Sequence, residues 1–292
     1  MKRPWFWVRV LGTVLALSLL VWLLWEQNWG ALLSALGRLS VQVLGTALGL
    51  YWLGLPINAW RWRTLLRGVG IPISWKKAVR LVLAGAFVSN FLPSTVGGDA
   101  LRVAGILDIA DLNTAFASVV VDRGLNVIAM YSFLPLTWKT FGTFLPAVGW
   151  SGGMKAAGLL GGFWGRLGKL LKKFIGAIGA WMRSPRTLAA GLVISWLSLL
   201  PSFTATWILA RSLGIPVAWY EVAGATVISY TMGLLPISLN GYGVREVTVV
   251  GLYSLLGATT EQAVMLALVT RFLMVLSTLT GAPWVGEAVP KG

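Results

Sequence analysis

Long apolar runs separated by short polar or basic stretches make up most of the chain. A helix needs roughly 20 apolar residues, at about 1.5 Å each, to cross the hydrocarbon core of a bilayer. Segments 8–25, 41–60, 113–134, 187–210 and 262–282 meet that requirement and are predicted to span. Segment 135–150 is shorter and carries Pro135, Lys139 and Pro146. Two further apolar stretches, 81–110 and 222–256, are broken in the middle by turns rich in Pro and Gly. The first turn reads Leu92-Pro93-Ser94-Thr95-Val96-Gly97-Gly98-Asp99, and the second Leu235-Pro236-Ile237-Ser238-Leu239-Asn240-Gly241-Tyr242-Gly243. The arms beside each break are about 12–14 residues, or about 18–21 Å as helix, too short for a ~30 Å core. Each broken stretch is expected to form either a re-entrant hairpin of two half-helices or two pieces of one discontinuous helix.

The two broken stretches match each other. Pro93 and Arg102 recur 143 residues on as Pro236 and Arg245, with Gly97 and Gly98 aligned to Asn240 and Gly241. A span with one interior arginine follows each, Arg123 in the first and Arg271 in the second. The chain thus reads as a single membrane domain over 1–292: a first repeat at 41–150, a basic segment at 151–186, and a second repeat at 187–285. In either version of the broken segments the two copies run in opposite directions through the bilayer. Inverted repeats with interrupted helices are a signature of alternating-access transport. The predicted fold is an all-α polytopic membrane protein, with about six transmembrane helices plus two re-entrant or broken helix pairs arranged as inverted repeats.

Composition supports the membrane reading. The chain is 57% hydrophobic and 11% charged, against about 25% charged in soluble domains. Its 17 Trp residues suit the headgroup level of a bilayer. Seventeen of the 24 basic residues fall on one side if the N-terminus is cytoplasmic, including Arg61, Arg63, Arg67, Lys76, Lys77 and Arg80 after the second span. Only Arg38 and Arg211 fall on the other, so the positive-inside rule orients the chain. The net charge of +15 is then explained by an anionic leaflet and not by nucleic acid. The stretch 155–186 mixes Gly, Lys, Arg, Phe and Trp; it reads either as an amphipathic surface segment or as a solvated linker. The apolar run after the basic start has no small-residue cleavage site, so it is expected to be an uncleaved span. With no Cys and no His, thiol and imidazole chemistry are excluded, and no carboxylates cluster at metal-ligand spacing.

Charges inside apolar segments mark the candidate site. An arginine in hydrocarbon costs at least ~2.5–3.5 kcal/mol on insertion scales, so each is expected to face a polar cavity. Asp99 and Arg102 share a face at the start of one half-helix, while Arg245 and the adjacent Glu246 open the other. Asp122 precedes Arg123. One reading is structural, with Asp99 capping its helix and the carboxylates neutralising arginines. The other is binding: arginines outnumber carboxylates, and a phosphate would supply the missing charge through bidentate bonds. Half-helix N–H groups beside Gly97, Gly98 and Gly241 would assist.

The run Asn90-Phe91-Leu92-Pro93-Ser94-Thr95-Val96-Gly97-Gly98-Asp99-Ala100-Leu101-Arg102 resembles the first signature of the lysylphosphatidylglycerol synthetase transmembrane, flippase-like family. The run from Leu235 to Glu246 resembles its second, and the single arginines Arg123 and Arg271 also fit. The resemblance implies a multi-pass protein of the bacterial inner membrane, related to flippases of lipids with modified headgroups. No segment is long and polar enough for the soluble aminoacyl-transferase domain of two-part members, so an enzyme is not expected. The expected activity is translocation of a phosphate-bearing lipid or lipid-linked headgroup between leaflets. The substrate-binding residues are expected to be Asn90, Gly97, Gly98, Asp99, Arg102, Asp122, Arg123, Asn240, Gly241, Arg245, Glu246 and Arg271. No cofactor is expected, since no nucleotide-binding Gly-x-x-x-x-Gly-Lys run occurs. The partner is then an anionic membrane lipid. Two alternatives are a membrane enzyme acting on a lipid phosphate and a non-transporting scaffold that partners a lipid-synthesis enzyme.

Overall fold

A computed structural model describes residues 39–90, 96–141, 181–234 and 243–287, with Gly37 and Gly179 besides. The predicted first span at 8–25, both Leu-Pro turns, Asn240, Gly241 and most of the basic segment lie outside the described residues. So does segment 135–150 from residue 142 on.

Eight helices form the described framework. Helix α1 (Val41–Gly68) starts where the Ser40 hydroxyl accepts the Val43 N–H, and α2 (Trp75–Ser89) where Ser74 accepts that of Lys77. The short α3 (Val96–Ala104) leads to α4 (Leu112–Tyr131), capped by the Asp111 carboxylate on the Thr114 N–H. A turn at Leu134–Thr137 and a further turn at Trp138–Phe141 follow. Helix α5 (Pro185–Ser212) opens on a proline, whose missing N–H is harmless in a first turn. Then come α6 (Trp219–Leu234), α7 (Val244–Leu255) and α8 (Thr260–Thr278), the last entered through a reciprocal Thr259–Gln262 capping box. A tight-turned tail, Leu279–Glu287, ends the described chain. Three runs, Leu112–Thr137, Pro185–Ser212 and Thr260–Gly286, are long and apolar enough to cross a membrane.

The order and lengths of α1 to α4 are repeated in α5 to α8. Helices α1 and α5 both have 28 residues, each with an internal proline, Pro56 and Pro201. The turns that leave them also correspond: Gly70-Ile71-Pro72-Ile73 in one, Gly214-Ile215-Pro216-Val217 in the other. Gly70 and Gly214 have φ of +85° and +83°, the left-handed helix stop that favours glycine. The amide of Ile71 reaches the Leu66 carbonyl, and that of Ile215 the equivalent Ala210 carbonyl, both at 3.0 Å.

Helices α1 and α5 pack antiparallel along their lengths. Gly68 lies against Thr187 at one end, Gly54 against the Ser198 carbonyl near the middle, and the Tyr51 hydroxyl bonds Thr206 at 2.8 Å towards the other. Helix α3 folds back on α2, with Gly98 against the Gly85 carbonyl and Gly105 against Leu81. Only glycine permits the Gly98 approach, because a Cβ there would collide with that carbonyl. Helices α6 and α7 likewise pack on each other. The halves are cross-tied. The tail Leu279–Glu287 lies on α2, with Gly281 on the Leu83 carbonyl and the Arg80 guanidinium 4.4 Å from the Trp284 ring centre. Reciprocally, the turn after α4 lies on α6, with Thr137 against Gly224.

One sequence expectation needs revision here. The sequence pattern places the second span at 41–60, with Arg61 among the basic residues that follow it. Helix α1 instead continues to Gly68, and Arg61 is 4% exposed. Asn58, Arg61 and Arg63 give the sequence the look of a span terminus, but Arg61 meets the Asp122 carboxylate and the Asn126 amide oxygen in the interior.

Candidate functional site

Three helices bring five charges together. Asp122 on α4 accepts from Arg61 Nε of α1 at 2.6 Å through one oxygen and from Arg102 Nη2 of α3 at 2.9 Å through the other. Arg61 also donates through Nη1 to Asn126 at 2.9 Å and to Ser195 at 3.3 Å. Arg102 stacks over the Trp62 ring at 4.4 Å, and the Trp62 indole N–H is fixed by Ser118. Asp99, one turn before Arg102 on α3, lies 3.6 Å from Arg102 Nη1. Asp99 also accepts a bidentate pair from Arg123, 3.0 Å from Nε and 3.1 Å from Nη2. The cluster therefore alternates in sign, from Arg61 through Asp122, Arg102 and Asp99 to Arg123.

Burial falls along that chain. The Arg61 and Asp122 side chains are 5% and 2% exposed, Arg102 is 9%, Asp99 19% and Arg123 41%. Beside them lies a cavity of about 150 Å³, lined by these five residues together with Asn58, Asn126, Ser89 and the small residues Gly85, Ala86 and Gly98. The close glycine contact of α2 with α3 thus forms part of the wall. Arg102 Nε is buried in this wall without a hydrogen-bond partner among the described residues. Asn90 closes α2 nearby, and its amide nitrogen donates to Thr278 of the second half at 2.7 Å.

The second half has a smaller cluster. Glu246 accepts from the Gly243 amide at 2.8 Å, which closes the first turn of α7, and lies 3.7 Å from Arg271 Nε. Arg245 points elsewhere, towards the Met274 sulfur at 3.4 Å, and makes no ion pair among the described residues.

Of the residues expected from sequence, Gly98, Asp99, Arg102, Asp122 and Arg123 share the cavity. Gly97 is on α3 beside it but is not part of its lining. Glu246 and Arg271 form a separate pair in the second half, Arg245 turns to Met274, and none of the three lines this cavity. Arg61, Asn58 and Asn126 were missed. A signal existed for Arg61 and Asn58, which are three residues apart and share one helix face. The correspondence between the two halves is also incomplete: where the helices are matched from their starts, Arg61 faces Ala205 and Asp122 faces Thr270 in sequence. The second half therefore lacks the buried centre of the first.

The profile of the family described as "Lysylphosphatidylglycerol synthase TM region" matches residues 9–281. A curated relative, a UPF0104 membrane protein of Pyrococcus horikoshii, is 29% identical over 129 residues. That alignment covers 43% of this chain but only 38% of the relative. The family match includes both charged clusters and every described helix, so this all-helical chain belongs to the lysylphosphatidylglycerol synthase TM region family.

Proposed function

We propose that the protein is a lipid translocator that moves a phosphate-bearing lipid headgroup between leaflets of the inner membrane. The observation that carries this reading is the cavity-lining cluster, in which three arginines face two aspartates and one guanidinium nitrogen has no hydrogen-bond partner among the described residues. Buried guanidiniums are costly in a membrane unless something anionic meets them. Antiparallel packing of α1 on its counterpart α5 supports an inverted repeat about an axis in the membrane plane. The fold-back of α3 on α2 supports the re-entrant form of the first broken segment. Arg67 and Arg186 lie at the same end of the α1–α5 pair, since Gly68 meets Thr187 there, which supports a basic cytoplasmic face and a cytoplasmic N-terminus.

The test is leaflet-resolved movement of a fluorescent phospholipid in liposomes containing the purified protein. Protein-dependent exchange between leaflets is expected, and Arg102→Gln should lower its rate about tenfold, as loss of one charge-assisted contact implies. No exchange, with the lipid still bound, would favour a scaffold. Chemical turnover of the lipid without exchange would favour an enzyme.

A further inference from the structure

We infer that two indole–hydroxyl bonds, Trp52 to Thr280 and Trp196 to Ser132, form a matched pair of catches between the halves, each released when the cavity opens towards a different face of the membrane. This rests on the inverted-repeat reading above and concerns how its two halves are held together. Trp52 Nε1 of α1 donates to Thr280 Oγ1, just beyond α8, at 3.3 Å, and Trp196 Nε1 of α5 donates to Ser132 Oγ, just beyond α4, at 2.9 Å. Each hydroxyl donates its own hydrogen to a carbonyl three residues earlier, Thr280 to Ser277 at 3.1 Å and Ser132 to Ala129 at 2.6 Å. The acceptors are thereby held with a lone pair towards the indole. The two sets are equivalent residue by residue. Trp52 and Trp196 are each the twelfth residue of a 28-residue helix, while Thr280 and Ser132 are each the 21st counted from the first residue of α8 and of α4.

The axis that relates the two bonds passes close to both, because the equivalent positions Gly54 and Ser198, two residues beyond each tryptophan, meet one another. Trp52 and Trp196 are 43% and 38% exposed, and an indole N–H facing hydrocarbon needs a partner. Both find it in the opposite half, at the end of a charge-bearing helix: α8 carries Arg271, and α4 carries Asp122 and Arg123. Each bond therefore ties a central helix to a helix of one charged cluster. When the halves move about an axis in the membrane plane, the rotation that exchanges the two bonds also exchanges opening towards one face with opening towards the other. A bond broken in the first arrangement is kept in the second, and its counterpart behaves oppositely. Removing one bond then favours the arrangement in which it is already broken, because only the other arrangement loses a contact.

The chain has no cysteine, so a single one can report the face to which the cavity opens. The reporter is Asn58→Cys in the cavity wall of the full-length protein. A membrane-impermeant maleimide labels it from outside in intact cells and from the cytoplasmic side in inverted vesicles. Trp52→Phe and Trp196→Phe each keep an aromatic ring and remove the N–H. Each should change the ratio of labelling from the two faces by about threefold, the worth of an ordinary hydrogen bond between membrane helices, and in opposite directions. Ser132→Ala should move the ratio as Trp196→Phe does, and the double Trp52→Phe/Trp196→Phe variant should return it to that of the Asn58→Cys parent. Bonds that merely satisfy an indole would give no such sidedness. Shifts in the same direction, a ratio unmoved by either tryptophan variant, or a cysteine closed to both faces throughout overturns the paired catches. Lipid exchange in liposomes that persists alongside any of those results leaves the translocator reading standing. Opposite shifts without lipid exchange keep the catches and remove translocation.

Discussion

Asp122 bonds two guanidiniums at once, 2% exposed and with no water-facing alternative for either partner. The attraction within such a group roughly offsets the desolvation of its members, so its presence says little about net stability. Removing one member is different, because the others stay buried and uncompensated. Asp122→Ala should therefore destabilise the protein by about 3–5 kcal/mol. The exposed Lys77–Asp108 pair, at 2.7 Å, is shorter than several of the buried contacts, yet Asp108→Ala should cost only about 0–1 kcal/mol. Thermal melts of the two variants in the same detergent check the contrast. Equal losses would mean that the Asp122 cluster is solvated to a degree its burial does not suggest.

At the scale of elements, glycine decides how closely the arms of the first hairpin approach. Gly98 has no room for a Cβ against the Gly85 carbonyl, whereas Gly251 on α7 has open space around it. Gly98→Ala should push α3 away from α2 and cost about 1–3 kcal/mol, as overpacking does. Gly251→Ala should be neutral or stabilising by up to about 1 kcal/mol, since alanine is the better helix former. Melting temperature reads both, and binding at the cavity should fall for the first variant alone. The elements themselves were largely legible. The apolar runs, the Pro-Gly breaks and the 143-residue offset located α2, α3, α6 and α7. The limit of α1 was not legible, because Asn58-Ala59-Trp60-Arg61 has the polarity of a span end. The buried partner of Arg61 is Asp122, 61 residues away, and no local pattern announces a partner at that distance. The same holds for the site. The arginines stood out by their cost in an apolar run, but their pairing did not, because Asp99 takes Arg123 in addition to its helix neighbour Arg102. The correspondence of α1 with α5 was also legible in principle, in the shared Gly-Ile-Pro turn.

Across the whole molecule, the antiparallel contact of α1 with α5 makes a geometric claim that the absence of cysteine renders easy to check. Cysteines placed at 68 and 187 should cross-link, since a Cβ on Gly68 would meet the Thr187 side chain. Cysteines at 68 and 212, which a parallel arrangement would bring together, should not. The readout is mobility on a denaturing gel after mild oxidation, and cross-linking of the 68–212 pair alone would reverse the packing assigned to the two halves.

The cross-ties set a further limit, on how the halves can change over time. Thr137 forms part of the surroundings of α6, and Gly281 part of those of α2, so each hairpin rests on residues encoded in the opposite half. A larger side chain at position 224 has to be met by a smaller one at 137, and growth at 281 by withdrawal of the α2 backbone at Leu83. Two halves tied in this way cannot change independently at these contacts. The second half carries Ala205 and Thr270 where the first has Arg61 and Asp122, so the charged centre is unequal while both ties are present.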